Sequence, residues 1–202
     1  MLDNRPQLLF VYVMGPTCAG KSVLIEAAKR VWGQSLGLVE VGKAFRAKYP
    51  PSYFAGQANP SHTRDEAIKM YFEFIERELS KPDLRLILID GQPRQSQVAP
   101  IVGSYVDHLK LFLHLDASVD TRRARVSARF PLNADGTAQE AATLAMQRID
   151  NDRLTYYEVI MDLMKSRIHI EVFDTDRPAS EWTDDVIKHI EYELQRTTLG
   201  ED

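Results

Sequence analysis

With one cysteine among 202 residues, the chain cannot close an internal disulfide, so its stability must come from a packed core. Excess positive charge is missing too. Twenty-five Lys and Arg stand against 29 Asp and Glu, giving a net charge of −4. That balance argues against a dedicated nucleic-acid surface, which works by neutralising phosphates. No run approaches the roughly 18 apolar residues of a membrane span, and Met1-Leu2-Asp3-Asn4-Arg5-Pro6 carries no apolar signal-peptide core. A soluble, cytoplasmic chain with no nucleic-acid or membrane partner is the expectation, and nothing points beyond a monomer. Linkers rich in Pro, Gly and Ser and internal repeats are also missing, which fits one α/β domain. The five histidines show no metal-ligand spacing. His108 and His114, at opposite ends of one apolar run, read as structural.

What the chain does contain is Gly15-Pro16-Thr17-Cys18-Ala19-Gly20-Lys21-Ser22, a G-x-x-x-x-G-K-S pattern directly after the apolar run Leu8 to Met14. The glycines let the backbone wrap until successive N–H groups converge on phosphate oxygens. Lys21 adds a mobile positive charge, and Ser22 offers a hydroxyl to magnesium. The pattern has meaning only between a buried strand and a helix. Both are predicted: the run before it is apolar at every position, as in a central parallel strand, and Ser22 to Trp32 places Val23, Ala27, Ala28 and Val31 at helical spacing. The helix adds its positive dipole end. Cys18 reads as a small filler residue rather than a reactive thiol.

Further along, Leu38 to Val41 reads as a second strand and Gly42 to Tyr49 as a short helix stopped by Pro50-Pro51. A Gly/Asn/Pro/Ser-rich loop over 53–63 precedes a helix from Arg64 to Leu79, together suggesting a small mobile flap. Arg85 to Asp90 and His108 to Leu115 are predicted third and fourth strands. Helices over about 118–129 and 139–164 flank a turn from Phe130 to Gly136, and a strand at Ile168 to Phe173 leads to a last helix from Ser180 to Gln195. The alternation predicts a parallel sheet with helices on both faces and a ligand site at the carboxyl ends of its strands.

Those strand ends carry the remaining candidates. Asp90-Gly91-Gln92-Pro93-Arg94 follows the third strand, and its arginine is a planar fork suited to a phosphate or carboxylate. Gly42 and Arg46 follow the second strand in the same way. Arg122, Arg125 and Arg129, at steps i, i+3 and i+7, share one helical stripe and favour an anion, while Arg123 points elsewhere, to the surface. Tyr156 and Tyr157, with Ile160 and Leu163, read as core rather than a base-stacking platform. Asp150, Asp152, Asp184 and Asp185 read as solvent-facing.

Taken in order, these segments resemble the adenylate kinase-like family of nucleoside monophosphate kinases over nearly the whole chain. The loop at 15–22 looks like that family's donor loop. Val41-Gly42-Lys43-Ala44-Phe45-Arg46 resembles its T-G-D-x-L-R segment, Asp90-Gly91-Gln92-Pro93-Arg94 its D-G-F-P-R, and Gln147-Arg148-Ile149 its K-R-L. The resemblance implies a P-loop type sheet of five parallel strands in the order 2-3-1-4-5, with core 1–50, 80–128 and 139–202, an acceptor flap at about 42–80 and a short lid at about 126–140. Gly15 to Ser22, with Lys21, would hold the donor phosphates of ATP. Gly42, Arg46, Gly91, Arg94 and Gln97 would hold a nucleoside monophosphate, with an AMP-type acceptor favoured. Arg122, Arg125, Arg129 and Arg148 would meet donor or transferred phosphoryl, and the 174–178 loop, including Asp174 and Pro178, would meet the adenine. Magnesium would be held by Ser22 and, through water, Asp90. The chain departs from the family at Val41 and Lys43, at Val98, and in the lid, where no R-x-D-D occurs near Thr137 and Arg129 is the candidate substitute. The short, cysteine-free lid excludes zinc. A kinase of a phosphate-free metabolite and a non-catalytic nucleotide-binding module are the competing expectations.

Overall fold

The computed structural model describes residues 7–48, 61–91, 104–105, 108–136 and 138–199, without the side chains of 46, 61–64, 152–157 and 197–199. Five strands, β1 (Leu9–Met14), β2 (Leu36–Val39), β3 (Leu86–Asp90), β4 (Leu109–Asp116) and β5 (Ile170–Asp174), form one parallel sheet in the order β2-β3-β1-β4-β5. The described helices are α1 (Lys21–Trp32), α2 (Val41–Lys48), α3 (Ser61–Leu79), α4 (Val119–Arg129), α5 (Glu140–Lys165) and α6 (Ala179–Leu199). The expected fold class and strand order are what the chain adopts. None of the described helices is long and apolar enough to cross a membrane.

β1 is apolar at every position because both its faces are covered. Leu9, Val11 and Val13 pack into a cluster with Leu24 and Ala28 of α1 and Val186 and Ile190 of α6. Phe10, Tyr12 and Met14 face Tyr71 and Ile75 of α3 and Val159 and Leu163 of α5. Each such side chain contributes about 1.5–3 kcal/mol by leaving water, so a charge at Val11 would break the sheet at its centre. Tyr12 brings a phenol into this layer with no exposure, and the structure satisfies it by placing the Tyr71 hydroxyl 2.8 Å away. Its ring stacks on Phe112, with centroids 4.5 Å apart and planes 6° from parallel. Burial holds the Tyr12 hydroxyl far above its ordinary pKa and pushes Tyr71 up to about 12.

The second strand lies two residues earlier than its apolar residues suggest. Leu36 and Gly37 pair with Leu86 and Ile87, whereas Glu40 follows the strand and Val41 opens α2. Gly37 conceals the strand because it carries no hydrophobic signal. It is small for packing reasons: a Cβ there would stand 3.1 Å from Ile87 and Leu84 side-chain atoms and 3.2 Å from Glu78. β2 is an edge strand, and its outward Leu38 N–H donates to Glu78 Oε2 at 3.2 Å. The buried Glu78 carboxylate, which Lys81 and Arg77 also contact, thereby closes an edge that would otherwise offer an open donor.

Candidate functional site

β2 and β3 lie on one side of β1, and β4 and β5 on the other, so the crevice beyond the carboxyl ends of β1 and β4 is the topological switch point where ligands gather. The 15–22 loop leaves β1 at that point. Gly15 has φ 141°, and a Cβ on it would meet Leu115 O of β4 at 2.5 Å. Gly20 has φ 109° and caps α1, and a Cβ there would stand 2.8 Å from Cζ2 of the buried Trp182. Both glycines are therefore demanded by contact as well as by backbone conformation. Ala19 N donates to Pro16 O at 3.2 Å, and Lys21 Nζ curls over the loop to donate to Gly15 O at 2.6 Å and Pro16 O at 2.9 Å. No side chain caps the start of α1, so its positive end faces the loop. Ser22 is exposed at that end.

The loop is tied down from behind by Thr175, which the sequence does not single out. This residue follows β5 and has no exposure; its N donates to Asp116 O at 2.8 Å. Its Oγ1 lies 2.8 Å from Ala19 O and 2.9 Å from Asp116 O, so one hydroxyl proton serves two carbonyls. Arg125 reaches the same point. Its Nη1 donates to Cys18 O at 3.0 Å and to Thr175 Oγ1 at 3.3 Å, and its Nη2 to Thr175 O. Nearby, Asp176 Oδ1 accepts from Ser118 N at 2.9 Å, a bond that draws its carboxyl below the usual carboxylate range, and Ser118 Oγ caps α4 by accepting from Thr121 N at 3.1 Å.

The arginine stripe is real as a face of α4 but not as three equivalent groups. Arg122 is only 5% exposed, and its Nε and Nη1 are buried with no hydrogen-bond partner among the described residues. Arg125 is bonded to backbone as described, and Arg129 is exposed with its guanidinium 5.3 Å from the Phe130 ring centroid. Arg123 forms a surface ion pair with Asp150 at 2.8 Å. Arg148 of α5 is exposed. α4 and α5 pack through Val126, Ala142 and Ile149, and Cys18 packs against that cluster. Burial raises the Cys18 thiol pKa, opposed by the positive charges of Arg129, Lys21, Arg125 and Arg122. Four cations thus act on one position of the loop. Cys18 itself has φ 64°, a left-handed conformation that side chains rarely take.

Of the remaining candidates, Asp90 ends β3 opposite Val13, and Gly91, at φ 68°, donates its N–H to Val13 O at 2.9 Å, holding this strand end beside the loop. Gly42 lies in the first turn of α2. The Arg46 side chain, Arg94 and Gln97 lie outside the described residues, as do the side chains of Tyr156, Tyr157 and Asp152. Asp174 Oδ1 accepts from Asp176 N at 2.8 Å, and Pro178 O accepts from Glu181 N at 3.0 Å at the start of α6, giving the 174–178 loop a fixed path beside the P-loop. Between α4 and α5, where the short lid is expected, Gln139 Nε2 donates to Pro131 O at 2.8 Å. His114 pairs in register with Met14 and is largely buried, so its pKa falls below the usual histidine value; Lys21 adds to the shift and Asp116 opposes it.

A loop built this way at the switch point of a 2-3-1-4-5 sheet gives the chain the fold of a P-loop kinase. Among solved structures it is similar to a gluconokinase from Sinorhizobium meliloti 1021, with 15% identity and a TM-score of 0.60 over 98% of this chain and 100% of that one. No family model matches the chain, and no curated protein matches it.

Proposed function

We propose that the chain transfers the terminal phosphoryl group of ATP to a nucleoside monophosphate. The observation that carries the reading is the convergence of Lys21, Arg122, Arg125 and Arg129 on the loop, with Arg122 buried and its Nε and Nη1 lacking a hydrogen-bond partner among the described residues. A buried guanidinium without a partner is costly, and a polyphosphate supplies the missing acceptors. Phosphoryl transfer needs positioning and stabilisation of spread charge more than a covalent catalyst, and this arrangement offers both. Loop amides and Lys21 would hold the donor, the 174–178 loop its base, and Arg148 with the lid arginines the group in flight. Gly42, Arg46, Gly91, Arg94 and Gln97, which the resemblance assigns to the acceptor, belong to segments following β2 and β3, the strands on one side of the loop. The Ser22 hydroxyl in the first turn of α1 and the Asp90 carboxylate at the end of β3 are hard oxygen donors and suit magnesium, which would neutralise donor charge when bound.

The likeness to a gluconokinase favours a second reading, a phosphate-free sugar acid as acceptor, since its carboxylate can also use an arginine fork. An acceptor panel separates the two. The chain is mixed with Mg-ATP and each common ribo- and deoxyribonucleoside monophosphate, or gluconate and related acids, and ADP release is followed. ADP formed with at least one monophosphate is expected. Turnover with sugar acids alone moves the assignment to the second reading, and ATP binding without turnover on any acceptor reduces the chain to a nucleotide-binding module.

A further inference from the structure

We infer that Thr175 is a positioning residue of the donor site: its hydroxyl, with the Arg125 guanidinium, fixes the peptide planes of the phosphate loop and so aims the loop's N–H groups. The inference rests on the reading of residues 15–22 as the site for ATP phosphates. A peptide unit is planar and trans, so its C=O and N–H point in opposite directions. Holding Ala19 O against Thr175 Oγ1 therefore turns the Gly20 N–H away from the sheet edge, toward the concave side of the loop. Holding Cys18 O against Arg125 likewise fixes the next peptide plane, whose Ala19 N–H closes the loop on itself by donating to Pro16 O at 3.2 Å. A loop containing two glycines has little intrinsic stiffness, and its carbonyls are held by residues far away in sequence, Thr175 at |i−j| = 156 and Arg125 at |i−j| = 107.

Three features make Thr175 suited to this task. Its own backbone is anchored by the bond from its N to Asp116 O, so the hydroxyl is delivered from the rigid end of β5 paired to β4. Its β-branched side chain is fully buried, which leaves little rotamer freedom. Arg125 bridges Thr175 to Cys18, so the two bonds to the loop support each other. Arg125 thus spends its guanidinium on Thr175 and the main-chain carbonyls and acts through the loop, whereas Arg122, with Nε and Nη1 lacking a partner among the described residues, is placed to meet the anion directly.

Trp182, packed on Gly20, is the reporter. Its fluorescence is titrated with Mg-ATP and, separately, with tripolyphosphate, in the wild-type chain, Thr175→Val and Thr175→Ser, with Trp32→Phe in every background so that a single tryptophan reports. Loss of one hydrogen bond that orients the loop is expected to weaken Thr175→Val for both compounds by the same factor, about 5- to 10-fold. Thr175→Ser, which keeps the hydroxyl, stays within about twofold of wild type. Arg125→Lys, which keeps the charge but loses the fork between Cys18 O and Thr175, is expected to weaken both by several-fold, and it carries the test if Thr175→Val does not fold. Equal affinities for wild type and Thr175→Val, or a Thr175→Ser chain as weak as Thr175→Val, would overturn the positioning role while leaving the donor site intact. A wild-type chain that binds neither compound overturns the donor-site reading itself, and this inference with it.

Discussion

Replacing Arg122 with Met should make the nucleotide-free protein more stable and its ATP complex weaker, two effects that ordinarily do not travel together. The methionine keeps most of the apolar stem and removes the charge and its donors. In the structure two of those donors, Nε and Nη1, are buried without a partner in a side chain 5% exposed. Each buried, unsatisfied donor costs about 1–3 kcal/mol. Part of this returns as imperfect packing of the thioether, so a net gain of about 1–3 kcal/mol is the working figure. For a chain of 202 residues, 1 kcal/mol moves Tm by about 2–4 °C. Thermal melts without nucleotide should thus rise by at least about 2 °C. Bound phosphate reverses the sign, because a hydrogen bond to a charged group contributes about 1.5–3 kcal/mol, or roughly 10- to 150-fold in Kd. Calorimetric titration with Mg-ATP reads that loss, and the ATP-induced rise in Tm should shrink accordingly. A variant that melts lower than wild type without nucleotide would refute the idea that Arg122 is held ready for an anion. So would an unchanged Kd for ATP.

Two further outcomes follow from buried polar groups in the core and beside the loop. Tyr71→Phe leaves the Tyr12 hydroxyl buried with its partner removed and should cost about 1–3 kcal/mol, whereas the Tyr12→Phe/Tyr71→Phe double variant should recover most of that loss; a double-mutant cycle by denaturant unfolding measures the coupling, and simple additivity would remove the case for a shared bond. His114 has a folded-state pKa below its unfolded value, chiefly through burial, so the unfolded chain binds the extra proton first. Its contribution is fully present above the unfolded value of about 6.5 and is lost as pH falls toward the folded one, at a slope of no more than about 1.4 kcal/mol per pH unit. Melting wild type and His114→Gln from about pH 8 to pH 5 should show wild type losing ground below about pH 6.5; parallel curves would mean His114 does not titrate differently on folding.

The sheet was legible because a strand buried on both faces must be apolar throughout, and Leu9 to Met14 and Leu86 to Ile89 are. β2 slipped because Gly37, required for the approach of Glu78 and Leu84, has no hydrophobic signature, while Val41, apolar and nearly unexposed, belongs to the next helix. The arginine stripe shows a second limit. Helical spacing puts Arg122, Arg125 and Arg129 on one face, but direction from the axis does not fix what each long side chain meets, and here one is orphaned, one bonded to carbonyls and one laid on Phe130. Thr175 left no trace in the sequence, since a hydroxyl that serves main-chain carbonyls needs no matching side-chain pattern at the other end.

A site holding several cations in a protein of net charge −4 has to keep them from being quenched by its own acids. Pairing each with a carboxylate would stabilise the empty state but would force phosphate to displace a full negative charge. Main-chain carbonyls are milder partners. Lys21 rests on Gly15 O and Pro16 O, and Arg125 on Cys18 O and Thr175 O, neutral carbonyls whose dipoles soften the positive charge without cancelling it. In the proposed complex, phosphate would add direct charge–charge attraction to Lys21 bonds that are already charge-assisted. Arg125 would keep its carbonyls and so keep the loop's shape. The carbonyl partners of Arg125 thus hold still the loop that would receive the ligand.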